Sequence, residues 1–339
     1  MAKKEKEPTI NFALITPAQW ITLSILALGL LIGSWQSFLP LLAERHYRDG
    51  FNALAMKRND VGVSELEKTV ENAPMETQYL MELSKAYETY ALEKTTLEDK
   101  LYYLNKSKKT AFTTETLDVL NPWFKNRIAS IYTTLAEQDP AHQITYIKEA
   151  ENYHRLAAET DGQNPLFQLN LGYFLNRLGK TNEAEAYYKK SIAMDNGLAA
   201  AHFNLAEIYI QRKQYELALN EYQVIYKQTP SYGEVLFGII NIYLIKLDYP
   251  NALHYMEEAY KQYPDKLQLL QNLVALYQRF NQTEKAIPVY EMLFKRFPKE
   301  MPTYQAAYIQ ALLKTNQQEK AKRFMTLYQE MFSKTPKAK

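Results

Sequence analysis

Apolar positions follow two different rhythms along the 339 residues. The first is an unbroken run near the start. Trp20 to Leu42 reads WITLSILALGLLIGSWQSFLPLL, with no charged side chain. A helix from Trp20 to Leu39 is about 30 Å long, which matches the hydrocarbon core of a bilayer. Thr16 suits a helix cap, Pro17 the first helical position, and Gln19 completes a capping box. A transmembrane helix is therefore expected over residues 17–42, behind a short tail over 1–16. Trp20 and Trp35 fall where interfacial aromatics belong, and Pro40 is expected to end or kink the helix. Leu41 and Ala43 make a poor small-x-small cleavage pair, so an uncleaved anchor is expected rather than a signal peptide.

The second rhythm has a period of 34. From Asn164 onward, Ala184, Ala218, Ala252 and Ala286 fall in one column, and Leu171, Leu205, Ile239 and Leu273 in another. Leu175, Tyr209, Tyr243 and Tyr277 form a third. Tyr188, Tyr222, Met256 and Tyr290 form a fourth, and Asn196, Pro230, Pro264 and Pro298 a fifth. Leu171, Gly172 and Leu175 space as one apolar face of a helix. The alanines mark the point where a second helix approaches closely, and the aromatics fill the space between the two. Gly179 and Asn281 sit where the chain must turn, and the prolines stop the second helix. Each period is thus an antiparallel helix pair.

These columns resemble the tetratricopeptide repeat, with an apolar, a small and an aromatic position on the first helix, then alanine, aromatic and proline on the second. The resemblance implies an all-α fold: a transmembrane helix followed by an α-solenoid, a right-handed superhelix of about eight helix pairs. Residues 43–164 read as degenerate pairs, marked by Gly50, Leu66 and Pro74, by Leu83 and Tyr87 with a second helix near Leu97 to Thr113, and by Ala129, Tyr132, Ala150 and Ala157, lengthened around Pro140. Residues 165–300 hold four regular units. Residues 301–334 read as a capping pair with a one-residue shift that puts Ala321 in the alanine role, and 335–339 as a tail.

In this family the first helices line a concave face that holds extended peptides or partner helices. Asn170, Asn204 and Asn272 share one register position on that face, interrupted by Gly238. An amide both donates and accepts, so a row of them can pair with a peptide backbone whatever its sequence. This resembles the asparagine ladder of some family members. Neighbouring candidates are Tyr173, Phe203, Glu207, Phe237, Asn241, Gln271, Gln278 and Arg279. The lysine clamp that grips terminal carboxylates in chaperone-binding members is replaced by Leu169, Phe203, Phe237 and Gln271, which disfavours that partner class. The bland alternative is that the asparagines are repeat filler or local caps.

Composition narrows the function further. The chain has no cysteine, which excludes disulfides, thiolate zinc sites and a cysteine nucleophile. Forty basic and 38 acidic side chains nearly balance at a net charge of +2, giving no case for nucleic acid. Gly172 to Thr181 only superficially resembles a phosphate loop, since six residues separate its glycines and no strand precedes it. His46, His142, His154, His202 and His254 form no compact ligand set. Glu257 and Glu258 read as a solvated helix face, and Lys334, Lys337 and Lys339 as a frayed tail. No enzyme activity, cofactor or metal is expected; the expected partners are other proteins or extended peptides, with the membrane engaged through residues 17–42.

Orientation is open from charge alone. Lys3, Lys4 and Lys6 precede the span, and Arg45, Arg48, Lys57 and Arg58 follow it. The lysine-bearing head resembles a signal anchor, which would place the array outside the cytoplasm on a bacterial plasma (inner) membrane. The pattern Tyr47, Gly50, Leu66-Glu67-Lys68, Pro74, Tyr79, Leu83, Tyr87 after a span also resembles the tail of O-antigen ligase or polymerase membrane proteins. Three roles follow: a scaffold assembling an envelope complex, an accessory subunit in surface-glycan transfer, or an anchored holdase. The absence of cysteine departs from the lipopolysaccharide-regulating type of tetratricopeptide anchor, which carries a cysteine metal site.

Overall fold

The structure, a computed structural model, describes residues 17–332, without the side chains of 17–19 and 29–37. Among the described residues there are sixteen α-helices, one 3-10 turn at Pro298–Glu300, and no strand. The chain divides after Phe174 into two compact units.

The first unit holds α1 (Pro17–Ala55), α2 (Asn59–Asn72), α3 (Thr77–Leu92), α4 (Leu97–Leu117), α5 (Pro122–Gln138), α6 (Gln143–Thr160) and most of α7 (Pro165–Arg177). Successive helices from α1 to α6 pack against each other. Gly62 shows why α1 and α2 cross closely, because a Cβ there would meet Leu54 Cδ2 at 2.5 Å. Val63, Leu66, Leu83, Ala86 and Tyr87 form one buried cluster, with Tyr47 packed against it. The positions that suggest an O-antigen-type tail therefore include core positions of the repeat. Farther along, Arg127 is almost buried; it pairs with Glu88 and donates to Ser84 Oγ at 3.1 Å and to the Ser84 carbonyl at 2.9 Å.

Pro40 does not end the first helix. α1 runs 39 residues without a break and places Pro40 in its interior. The expected boundary at 42/43 is thus a helix interior. The repeat begins at once, with Ala43 fully buried and Glu44 accepting a hydrogen bond from the Tyr79 hydroxyl at 2.8 Å. The physical reason is that packing of 43–55 against α2 outweighs the single backbone bond a proline removes. Among the described residues no helix is long and apolar enough to cross a membrane. Much of the expected span, including residues 29–37, lies outside the described side chains, and the tails over 1–16 and 333–339 lie outside the described residues altogether.

The second unit runs from the end of α7 through α8 (Thr181–Met194), α9 (Ala199–Gln211), α10 (Tyr215–Gln228), α11 (Gly233–Ile245), α12 (Tyr249–Gln262), α13 (Leu267–Arg279), α14 (Thr283–Arg296), α15 (Met301–Lys314) and α16 (Gln318–Phe332). From α8 onward each helix packs on the next. The expected alanine column, including Ala321, is buried throughout, as are Tyr188, Tyr222, Met256 and Tyr290. Pro230, Pro264 and Pro298 follow the ends of α10, α12 and α14.

The turns inside the pairs repeat one backbone solution. Gly179, Lys213, Leu247, Asn281 and Asn316 all have positive φ, as does Lys57 in the first unit. At each turn the residue after the left-handed one donates to the carbonyl five places back, for example Lys180 to Leu175 at 3.0 Å and Asp248 to Tyr243 at 2.9 Å. The left-handed residue itself donates three places back, for example Gly179 to Asn176 at 3.0 Å. This is the Schellman cap, which satisfies carbonyls a helix end would otherwise leave unpaired.

Candidate peptide-binding face

α9, α11 and α13 are the first helices of consecutive pairs in the second unit, so residues 34 apart hold equivalent register positions. Phe203, Phe237 and Gln271 occupy one such position, and Asn204, Gly238 and Asn272 the next. All six are partly exposed, and Asn241 is exposed. The phenylalanine rings rest on tyrosines from the loops and second helices: Phe203 on Tyr222 and Tyr232 (centroids 5.8 and 6.2 Å), and Phe237 on Tyr263 (5.7 Å).

Gly238 interrupts the asparagine row for a steric reason. A Cβ there would meet Tyr222 Cε2 at 2.5 Å. Tyr222 comes from α10, lies against α11, and donates its hydroxyl to Glu207 on α9. Burial first, and then the Glu207 carboxylate, raise the Tyr222 phenol above its ordinary value. The missing side chain at 238 is what lets this ring pass between the two first helices.

Several other predicted residues are also engaged within the chain. Gln271 donates to Glu300 at 3.1 Å, and Asn272 accepts from Gln268 at 3.0 Å. Gln278 donates to the Tyr290 hydroxyl at 2.6 Å; burial is the main cause that pushes that phenol up to about 12. The Arg279 guanidinium lies 4.2 Å from the centre of the Tyr249 ring. Among the described residues, Asn204 and Asn241 make no side-chain hydrogen bond to the protein. In the first unit, Asn170 donates to Asn126 Oδ1 at 3.2 Å, and Tyr173 is half exposed.

Sequence reasoning missed a small cavity of about 210 Å³ beside this face, lined by Gln278, Thr283, Tyr290, Gln310 and Lys314 among others. It also missed the tyrosines beneath the phenylalanines. The 34-residue columns carried the tyrosine signal only in part, because Tyr232 and Tyr263 stand outside them. No group of His, Cys, Asp or Glu among the described residues could hold a metal ion.

Stacked antiparallel helix pairs with this turn and this buried alanine column define an α-helical repeat protein. Residues 175–236 and 247–308 match the family described as tetratricopeptide repeat. Proteins of that class bind peptides or other proteins. Comparison with curated proteins gives no match. Among solved structures the chain is similar to Pseudomonas aeruginosa pilF, at 17% identity and a TM-score of 0.49, over 72% of this chain and 98% of that one. It is also similar to a tetratricopeptide repeat protein from Parabacteroides merdae (12% identity, TM-score 0.47, 74% and 91% covered). A third is a thermophilic tetratricopeptide protein of Thermus thermophilus (19%, 0.44, 57% and 94%). None of these likenesses bears on function.

Proposed function

We propose that this protein is a membrane-anchored scaffold that holds uncharged, extended segments of partner proteins on the first-helix face of its repeats. The observation that supports this reading is the character of the face in the second unit. Asn204, Asn241, Gln271 and Asn272 share the first helices with Phe203 and Phe237, while the two charged candidates, Glu207 and Arg279, are engaged with Tyr222 and Tyr249. Amides pair with a peptide backbone in either direction, and the two phenylalanines give apolar area to alternate side chains. A terminal carboxylate finds no lysine at the equivalent positions.

Anchoring rests on the uncharged run Trp20 to Leu42. On this reading the array stands outside the cytoplasm of a bacterial cell and serves assembly of an envelope complex. Replacing Asn204, Asn241 and Asn272 together by alanine tests the face. Helix content should be unchanged and partner capture in mild detergent should fall about tenfold, the loss of one to two net hydrogen bonds. Undiminished capture by the triple variant removes the amide row from the account. The identity of what is captured sorts the roles: one stoichiometric partner supports the scaffold, many unfolded chains a holdase, and a polytopic transferase a glycan-transfer accessory.

A further inference from the structure

The unbroken α1 has a geometric consequence for the first unit. The uncharged run ends at Leu42, Ala43 is already fully buried, and Glu44 already holds Tyr79 at the start of α3. The Tyr47 ring also packs against Tyr79, tilted by 37° with centroids 4.9 Å apart. No linker separates the apolar run from the repeats. α1 enters the unit from one side, and α1 to α6 alternate in direction with short connections. The loops that follow α2 and α4 therefore lie on the side from which α1 enters, and those that follow α1 and α3 lie on the other. The Tyr79–Glu44 bond places the first of these near loops, residues 73–76, level with the end of the apolar run. Thr114, near the end of α4, reaches Met81 on α3 at 3.9 Å, which puts the second near loop, residues 118–121, at the same level.

These two loops carry exposed apolar side chains: Met75 at 72% exposure, Val119 at 61% and Leu120 at 79%. Trp123 follows on the first turn of α5, half exposed, with its ring edge-on to Phe167 at 4.8 Å. The far loops after α1 and α3 also carry exposed apolar side chains, Met56 and Leu97, but set among the charged Lys57, Arg58, Glu93 and Lys94.

We propose that the edge formed by Met75, Val119, Leu120 and Trp123 rests against the lipid surface into which α1 leads. A half-exposed tryptophan and short aliphatic tips suit the headgroup boundary, where an apolar body and a polar end are both satisfied. Charges of both signs lie near this edge, Glu76 and Asp118 with Arg45 just past the apolar run and Lys125, which donates to the Val119 carbonyl, so the contact is with lipid in general rather than with anionic headgroups. The inference rests on the anchoring reading and goes beyond it: the first repeats lie on the bilayer instead of standing clear of it.

The cysteine-free chain allows a direct test. Single-cysteine variants of the full-length protein, Met75→Cys and Leu120→Cys on the near edge and Leu97→Cys on the far edge, are labelled with an environment-sensitive fluorophore. They are then reconstituted in phosphatidylcholine vesicles. All three sites are exposed, so folding is spared. The near-edge labels should emit at shorter wavelength and lose intensity to a brominated lipid, while the far-edge label should do neither. Protein that floats with the vesicles but shows solvent-like near-edge labels, or equal quenching at both edges, overturns the edge contact and leaves the anchor intact. Protein that does not float overturns the anchoring reading and this inference with it.

Discussion

Single residues in the turns and seams carry much of the repeat. Leu247 is two-thirds exposed and adopts φ 57° at the position that Gly179 holds two repeats earlier. A left-handed backbone costs a residue with a Cβ about 1–2 kcal/mol, and an exposed leucine recovers little of that by packing. Leu247→Gly is therefore expected to stabilise the second unit by about 1 kcal/mol, read as a higher denaturant midpoint at unchanged slope. A lower midpoint would mean that the leucine side chain matters to packing after all. Ala218 is the opposite case. It is fully buried between paired helices, and Ala218→Trp should destabilise by about 3 kcal/mol, the upper end for overpacking. An unchanged thermal midpoint would contradict its place in the helix seam.

Between elements, the two units use the same tie. Glu67 on α2 accepts from Tyr87 on α3 at 2.6 Å and from Lys106 on α4 at 2.8 Å. Glu257 on α12 likewise accepts from Tyr277 on α13 at 3.0 Å and from Lys285 on α14 at 2.8 Å. The second helix of one pair is thereby fastened to both helices of the next. Burial first, and then the bonded carboxylate, raise the phenols of Tyr87 and Tyr277 above their ordinary value. Tyr308, which donates to Glu291 at 2.9 Å, is raised for the same reasons. A phenol raised in the folded state favours folding while it is neutral in both states. That contribution is complete below the unfolded value of about 10 and is lost as pH rises above it. Helix content should therefore fall in one step with the appearance of tyrosinate absorbance above pH ~10. Tyrosinate forming at ordinary pH while the helices persist would show that these ties are open in solution.

For the full chain, the continuous α1 would join the proposed anchor directly to the first repeats. Protease added to sealed cells should degrade the array if it stands outside the cytoplasm, and should spare it until the cells are opened if it stands inside. Protection in sealed cells would reverse the proposed orientation while leaving the repeats untouched.

The helix pairs were legible because a packing contact that recurs every 34 residues demands the same side-chain size each time. Ala184, Ala218, Ala252 and Ala286 betrayed the seam, and Ala321 its one-residue shift, which Asn316 repeats in the turn. Other features depended on neighbours far apart in sequence, which no local pattern records. Pro40 reads as a stop, yet burial of Ala43 and the packing of 43–55 on α2 carry α1 through it. Gly238 reads as a gap in a row of asparagines, yet it is the passage for the Tyr222 ring toward Glu207. Glu207 and Gln278 read as groove ligands from register alone, but tyrosines from second helices already bind them. Periodicity settled which residues face a neighbouring helix; three-dimensional packing settled which polar groups on that face are spent inside the protein and which stay open to a partner.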